Sequence, residues 1–173
     1  MSPVPLWFER EFDFSFPTAL YPNILVRLRG TPVRLEEMLR GSAREALIKK
    51  PVRNGEEKWS AQEHAGHLLD LEPLWTVRTE DFIAGRAALT VADLTNRGTT
   101  AANHNAHPLD QILSAFREAR SRLVSCTERL DPAQADRTLL HPRMKKPMRL
   151  IDHLYFIAEH DDHHLAHIWE LIK

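Results

Sequence analysis

Histidines are the residues whose number and spacing could support metal chemistry in this sequence. The chain has ten of them in 173 residues, and five fall between positions 153 and 167. Four of these five are close together, at His160, His163, His164 and His167. Residues four apart lie one above the other on a helix face, so two imidazoles so placed can share a metal ion. A metal would also hold neighbouring imidazoles neutral, which gives a reason for the cluster.

Two pairs compete as chelators in this segment, His160/His164 and His163/His167. Apolar residues of the same segment form one stripe when they are placed at about 100° per residue. The His160/His164 pair lies nearer that stripe, where a third ligand from another helix could reach it. The His163/His167 pair lies further towards solvent. The alternative is that all four are hydrogen-bonded boundary residues with no metal.

A third ligand could come from an upstream helix that begins at Ser60. The segment Ser60–Glu63 reads Ser-Ala-Gln-Glu, a capping box in which both end side chains satisfy free backbone N–H groups. His64 and His67 both lie on or beside the apolar stripe of this helix, and angular position does not choose between them. Gly66 lets another helix approach the backbone closely, at a cost of about 1 kcal/mol in helix propensity.

Four helices are predicted to position these side chains. They fall at roughly 20–50, 60–85, 108–130 and 148–172. Gly30 and Pro32 are expected to divide the first into two pieces, with Thr31 as the N-cap of the second piece, and Pro73 is expected to kink the second helix. No stretch shows the period-2 alternation typical of strands. The predicted fold class is therefore all-α, a four-helix bundle.

The other segments are predicted to be an arm and loops. Residues 1–19 are rich in aromatic residues and proline, and we expect an extended arm that packs on a domain formed by residues 20–173. Residues 86–107 are predicted to be a long loop, which is uncommon in a compact domain and often functional. The basic segment Arg143–Arg149 is interpreted as a solvated connector, with an anion- or substrate-binding edge as the alternative.

Three carboxylates near the histidines have two interpretations. Asp70, Asp161 and Asp162 are expected mainly to be surface charges. The alternative is that they accept hydrogen bonds from the outer nitrogens of ligand imidazoles. No residue in the sequence stands out as a general base, so the residues alone leave the reaction open.

Composition limits the classes of function. The chain has 23 Lys and Arg against 24 Asp and Glu, so it has no basic excess for non-specific nucleic-acid binding. No apolar run approaches the ~20 residues that span a bilayer, and the N-terminus lacks the features of a signal peptide. The single cysteine, Cys126, excludes an internal disulfide and fits a reducing compartment. We expect a single-domain cytoplasmic protein that binds neither nucleic acid nor membrane.

The histidine segments resemble those of the DinB/YfiT-like family. Trp59–Glu72 reads W-S-x-x-E-x-x-G-H-L-x-D-x-E, which is similar to the second helix of those proteins. His160–Ile168 reads H-x-x-H-H-x-x-H-I and is similar to their last helix, with His167 in place of the usual Gln. Asn103–Ala106 is similar to a third stretch, with His in place of Tyr. The resemblance covers roughly residues 20–173.

The resemblance implies a four-helix bundle, commonly with up-down-down-up connectivity and often homodimeric. It also implies a divalent metal held by three histidines, which at the matching positions are His67, His160 and His164. Whether His64 or His167 is an additional ligand stays open. Three imidazoles favour Zn, Ni or Fe over Mg or Ca, and three protein ligands leave a position for water or substrate.

Two hypotheses for function follow. The first is a metal-dependent enzyme that acts on a small molecule, either a hydrolase or a thiol-dependent S-transferase with a low-molecular-weight thiol as co-substrate. The second is a non-catalytic bundle that binds a metal or small ligand as a sensor or stress-response binding protein. Activity with a thiol and an electrophile distinguishes the two.

Overall fold

Four long helices form the body of the protein. The computed structural model describes residues 4–173, so residues 1–3 of the predicted arm lie outside it. In chain order the helices are α1 (Tyr21–Leu39), α2 (Arg44–Ile48), α3 (Ala61–Ala84), α4 (Arg97–Ala102), α5 (Leu109–Thr127), α6 (Pro132–Ala135) and α7 (Leu150–Leu171). Single 3₁₀ turns occur at Trp7–Glu9, Thr18–Leu20 and His104–Ala106. Helices α1, α3, α5 and α7 make the bundle, which confirms the predicted all-α class. In this described part, no helix has the length and apolar character needed to cross a bilayer.

Two hydrophobic clusters, one at each end of the bundle, show which way each helix runs. One joins the C-terminal halves of α1 and α7 to the N-terminal halves of α3 and α5, with members that include Leu35, Leu68, Phe116 and Ile168. The other joins the opposite halves, with members that include Leu28, Trp75, Leu123 and Leu154. Helices α1 and α7 therefore run one way and α3 and α5 the other, which is up-down-down-up. The chain must return along the bundle between α3 and α5, and residues 85–108 make this crossover.

Helix α1 is continuous where two pieces were predicted. It runs through Gly30 and Pro32 without interruption. Proline has no N–H to donate to the carbonyl four residues earlier, which here is that of Leu28. Arg120 Nη1 donates to this carbonyl at 3.4 Å, so the group that Pro32 leaves free has a partner from α5. Tertiary contacts thus override the local signal.

Two short hairpins occur where no strand was predicted. Strands β1 (Val52–Arg53) and β2 (Glu56–Glu57) pair antiparallel, as do β3 (Thr138–His141) and β4 (Lys146–Arg149). The predicted turn at Asn54 and Gly55 is present, with φ of 54° and 79° as a two-residue hairpin requires. Strands of two to four residues are too short to show a sequence alternation, which explains why they were missed.

The N-terminal segment packs along α7. Its half-buried aromatic side chains are Trp7, Phe12, Phe14 and Phe16. The ring of Trp7 lies 5.0 Å from that of Phe156, and Arg10 forms an ion pair with Glu159. The described part of the segment therefore covers the side of α7 that carries the histidines.

Candidate metal centre

Three histidines from two helices meet inside the bundle. His67 lies on α3, while His160 and His164 lie one turn apart on α7. One ring nitrogen of each lies within 4.8 Å of the others, and all three side chains are buried. Within residues 4–173, this is the one group of three or more His, Cys, Asp or Glu side chains so arranged. The structure thus brings together the three residues that the family resemblance implied.

Neighbouring side chains determine which nitrogen two of the three imidazoles present. His67 Nδ1 lies 2.9 Å from Thr99 Oγ1, and His164 Nδ1 lies 2.8 Å from His64 Nδ1. These contacts use the outer nitrogens and leave the Nε2 atoms of both rings for other partners. His164 Nε2 lies 3.2 Å from His160 Nε2. Contacts of this kind orient metal-ligating imidazoles in proteins.

His64 and His167 lie beside the three-histidine group and outside it. Their rings stack with centroids 5.0 Å apart and planes 8° from parallel. His64 uses Nδ1 to contact the outer nitrogen of His164, so it is placed to orient that ring. The sequence could not distinguish His64 from His67, because the choice depends on how α3 is rotated against α7.

His163 is buried, contrary to the prediction that it lies towards solvent. Its side chain is 9% exposed, and its ring centroid lies 5.5 Å from that of Trp7. The apolar stripe of α7 places His163 on the side that would face solvent if nothing else covered the helix. The N-terminal segment covers this face, which the helix pattern alone does not show.

Burial keeps these imidazoles neutral. Desolvation lowers the pKa of His67 from its ordinary 6.5 to about 4 and that of His64 to about 3. Desolvation, with repulsion from neighbouring histidines, also holds the pKa values of His160 and His164 well below 6.5. A neutral imidazole offers a lone pair to a metal ion, so the group is ready to bind one near neutral pH.

Acid is expected to destabilise the metal-free protein. The unfolded chain takes up protons near the ordinary histidine pKa of 6.5, whereas the folded pKa values are lower. The free energy of unfolding is therefore highest above about pH 6.5. Below this pH, each such histidine lowers it by up to ~1.4 kcal/mol per pH unit. Melting temperatures are measured by circular dichroism between about pH 7.5 and about pH 5. This interval lies above the pH range in which carboxylates titrate. A constant melting temperature over this interval would contradict the expectation.

Gly66 allows a side chain of the crossover to lie against α3. A Cβ atom at this position would lie 2.1 Å from His104 Cγ and 2.2 Å from its Cδ2. His104 is buried, and its Nε2 lies 2.8 Å from Asp70 Oδ2. The residue that packs against Gly66 therefore belongs to the crossover, whereas the sequence predicted that another helix would pack there. Asp70 binds His104, so it does not orient a ligand imidazole.

Replacing Gly66 with alanine should destabilise the protein by about 1–3 kcal/mol, although alanine is the better helix former. The His104 ring must move away from the new methyl group and thereby lose Asp70. Gly30→Ala is the matched control, because it is also inside a long helix and its Cβ would meet no atom within 4 Å. Urea unfolding measures both. Equal stability of the two variants would show that the ring shifts freely.

A buried ion network lies beside the three histidines. Arg120 of α5 is 1% exposed; its Nη2 donates to Glu72 of α3 at 2.6 Å and to Asp161 of α7 at 3.1 Å. The hydroxyl of Thr31, predicted to cap a helix, instead donates to Asp161 at 2.8 Å. Because Asp161 follows His160, the network joins a candidate ligand to all four long helices.

The charges in this network compensate one another. Burial raises the pKa of Glu72, and the charge of Arg120 opposes that rise. Burial alone would lower the pKa of Arg120, but Asp161 and Glu72 raise it. The expectation that Asp161 is a surface charge is therefore wrong. Asp162, in contrast, is only half-buried and pairs with two arginines of α1.

The three histidines open onto a cavity of about 660 Å³. Helix α3 lines it with Leu71 and Trp75, α7 contributes Phe156, and the N-terminal segment contributes Trp7. The loop before β4, predicted to be a solvated connector, places the half-buried Arg143 on the same wall. A mostly apolar cavity that ends in a few polar side chains is the usual form of a small-molecule site.

Comparison with known proteins agrees with this architecture. A sequence model of the DinB superfamily matches residues 27–168. The chain is similar to YfiT from Bacillus subtilis, described as a probable metal-dependent hydrolase with an unusual four-helix bundle topology; the TM-score is 0.77, with 21% identity over 94% of this chain and 91% of YfiT. It is also similar to a mycothiol-dependent maleylpyruvate isomerase, with a TM-score of 0.66 and 10% identity over 87% of this chain and 60% of the isomerase. No curated protein sequence matches the chain.

Proposed function

The chain belongs to the DinB superfamily, and from this premise we propose that it is a metal-dependent enzyme acting on a small molecule. One observation carries the proposal: three buried, neutral imidazoles converge at the wall of a cavity. His67, His160 and His164 would hold a divalent transition ion, for which nitrogen ligands favour Zn, Ni or Fe over Mg or Ca. The same proposal includes a cytoplasmic homodimer without a nucleic-acid partner.

The spacing of the two nitrogens on α7 fits a shared ion. Two imidazole nitrogens on one tetrahedral zinc ion lie about 3.3 Å apart. His160 Nε2 and His164 Nε2 lie 3.2 Å apart. Thr99 contacts His67 Nδ1, and His64 contacts His164 Nδ1. These contacts hold the outer nitrogen of each ring and leave its Nε2 atom for the ion. Three protein ligands would leave one position for a reacting group.

The surroundings of the three histidines support chemistry away from bulk water. When bound, a divalent transition ion supplies Lewis acidity, which lowers the pKa of a thiol or of water. Trp7 covers His160, with ring centroids 4.9 Å apart, and Trp59 covers His67 at 4.7 Å. These rings shield the two imidazoles, and electrostatic interactions are stronger where a site is shielded from water. The reaction we propose is thiol-dependent S-transfer to an electrophile, or hydrolysis of a small molecule.

The carboxylates of the cavity bear on the choice between enzyme and sensor. Among its described lining residues, only Glu9 and Asp93 carry carboxylates, and both are exposed to solvent. A reaction that needs a buried carboxylate base is therefore disfavoured. Transfer from a thiol needs no such base once the thiol is ionised, whereas a binding protein without catalysis needs none at all. The non-catalytic sensor is accordingly the second candidate.

Turnover assays distinguish these candidates. Metal-free protein, purified without an affinity tag, is loaded with zinc or nickel and mixed with a low-molecular-weight thiol and an electrophile such as monochlorobimane. We expect saturable thioether formation by the loaded protein and none after chelation. A parallel ester substrate tests hydrolysis. Metal binding without turnover in either assay would favour the sensor, and failure to take up any metal would refute the site.

Removing the metal should leave the fold intact. The two hydrophobic clusters span both ends of the bundle and do not depend on the site. We expect chelation to leave the helical circular dichroism unchanged while lowering the melting temperature, because an ion at 100 times its Kd contributes ~2.7 kcal/mol. Complete unfolding on chelation would instead make the metal structural and contradict the open position.

A further inference from the structure

Arg78 is a buried arginine that forms no ion pair with a described residue. Its side chain lies on the cavity wall, and the residue is 2% exposed. Nε donates to the backbone oxygen of Thr90 at 2.9 Å. Burial lowers its pKa to about 10. Arg120, the other arginine buried to this degree, has two carboxylate partners, so the lack of one at Arg78 calls for a physical reason.

His141 directs a second hydrogen-bond donor at the same point. The backbone N–H of Met144 donates to His141 Nδ1 at 3.1 Å. A neutral imidazole accepts through only one nitrogen, so the bond from Met144 assigns the proton of His141 to Nε2. This Nε2 lies 3.5 Å from Arg78 Nη1, which is also a donor. Two buried donors therefore face each other without an acceptor between them, and an anionic oxygen would satisfy both.

Two further side chains extend this donor cluster, which we define as Arg78, His141, Trp75 and Arg143. Trp75 Nε1 is buried without a partner among the described residues, and its ring centre lies 5.7 Å from the Arg78 guanidinium carbon. Arg143 lies half-buried on the same wall and forms no described ion pair. Asp81, whose charge acts on Arg78, is only half-buried and accepts from Thr90, so the two cations share one part of the cavity with no buried acid among the described residues to balance them.

Trp75 lies close both to Arg78 of the donor cluster and to His160 of the three histidines. Its ring centroid lies 5.7 Å from the Arg78 guanidinium carbon and 5.7 Å from the His160 ring centroid. The guanidinium is therefore at most twice that distance from the imidazole. His67, Leu71, Trp75 and Arg78 follow one another at three- or four-residue intervals, so one stripe of α3 lines the cavity between the two groups.

We propose that the donor cluster binds a carboxylate, and that the substrates of this site are small organic acids with an apolar body. The carboxylate accepts hydrogen bonds from Arg78 Nη1 and His141 Nε2, with Trp75 Nε1 and Arg143 alongside. The apolar body lies against Leu71 and the ring of Trp75. The identity of the cavity as a substrate site rests on the proposed function; the preference for an anion rests on the donors alone.

Two probes of one shape test the preference. Binding of 3-phenylpropanoate and of its neutral amide, 3-phenylpropanamide, is measured calorimetrically on metal-free protein, so that no metal can hold the carboxylate. We expect the carboxylate to bind at least ~10-fold more tightly, as charge-assisted hydrogen bonds imply. Arg78→Gln should abolish this preference. Arg122→Gln, which removes an exposed arginine of α5, should leave it unchanged.

A folding defect in Arg78→Gln would not end the test. Circular dichroism checks the variant, and Arg143→Gln, at a half-buried position, should by itself reduce the preference by about threefold. Equal binding of the two probes by the wild type, no binding of either, or a preference that survives in folded Arg78→Gln would overturn the proposal.

The result also separates this inference from the metal proposal. A preference seen only in zinc-loaded protein would place the carboxylate on the metal and overturn the donor cluster, while leaving the metal site intact. A preference in protein that takes up no metal would support the donor cluster and refute the metal-dependent enzyme.

Discussion

Replacing His67, His160 or His164 with alanine is expected to abolish tight metal binding, with affinity falling by more than ~100-fold in each case. The three ring nitrogens lie within 4.8 Å of one another, so removing one leaves only two imidazoles to hold the ion. Calorimetric titration of tag-free protein with zinc or nickel, together with metal analysis, measures the change.

His163→Ala is the matched control. His163 lies next to His164 on the same helix and is almost as buried, but it is outside the three-histidine group. The His163→Ala variant should keep the metal and lose only the packing against Trp7, which lowers its melting temperature. His64→Ala should give an intermediate loss of about 10- to 100-fold, as expected for a residue that orients a ligand. Metal retained by His160→Ala but lost by His163→Ala would show that the assignment is wrong.

Arg120→Met is expected to destabilise the protein by about 3–5 kcal/mol. Methionine approximates the length of the arginine stem, but it leaves Glu72 and Asp161 buried without a counter-charge. The carbonyl of Leu28, which Pro32 cannot satisfy, also loses its donor. Urea unfolding at neutral pH measures the loss.

Arg117→Met provides the comparison on the same helix. Arg117 pairs with Glu36 near the surface, and its side chain is 47% exposed. Exposed pairs contribute ~0–1 kcal/mol, so this variant should be close to wild type. If Arg120→Met lowered the free energy of unfolding as little as Arg117→Met, water or rearranged side chains would have to compensate the two carboxylates. The network would then not stabilise α7.

Much of the fold could be predicted from local signals. The capping box at Ser60 marks the start of α3, and Gly85, with φ of 65°, ends it as expected. The break predicted in α1 is wrong because Arg120, 92 positions from Leu28, donates to the carbonyl that Pro32 leaves free. Propensity describes a residue and its chain neighbours, so it cannot register a partner on another helix.

In the candidate site, too, the sequence predicts relations within one segment but not contacts between segments. Helical spacing gives two candidate pairs on α7, His160/His164 and His163/His167, because one helix fixes the relation within each pair. The contacts of Thr99 with His67 and of Trp7 with His163 join separate segments and leave no trace in spacing. The ion network leaves one signal in the sequence. Arg120 follows Phe116 by four residues, which places a charge inside the apolar stripe of α5.

The crossover between α3 and α5 has a consequence for biosynthesis. His64 and His164 are in contact but 100 positions apart, and Thr99 joins the site from the segment between them. A ribosome that has made α3 and the crossover has produced His67 with its orienting partner, but neither ligand of α7. Helices α3 and α5 alone thus offer the ion a single imidazole of the three. If these three histidines hold the ion as proposed, the protein would acquire it only after the last helix has left the ribosome and docked, so the ion would select a finished bundle and would not template it.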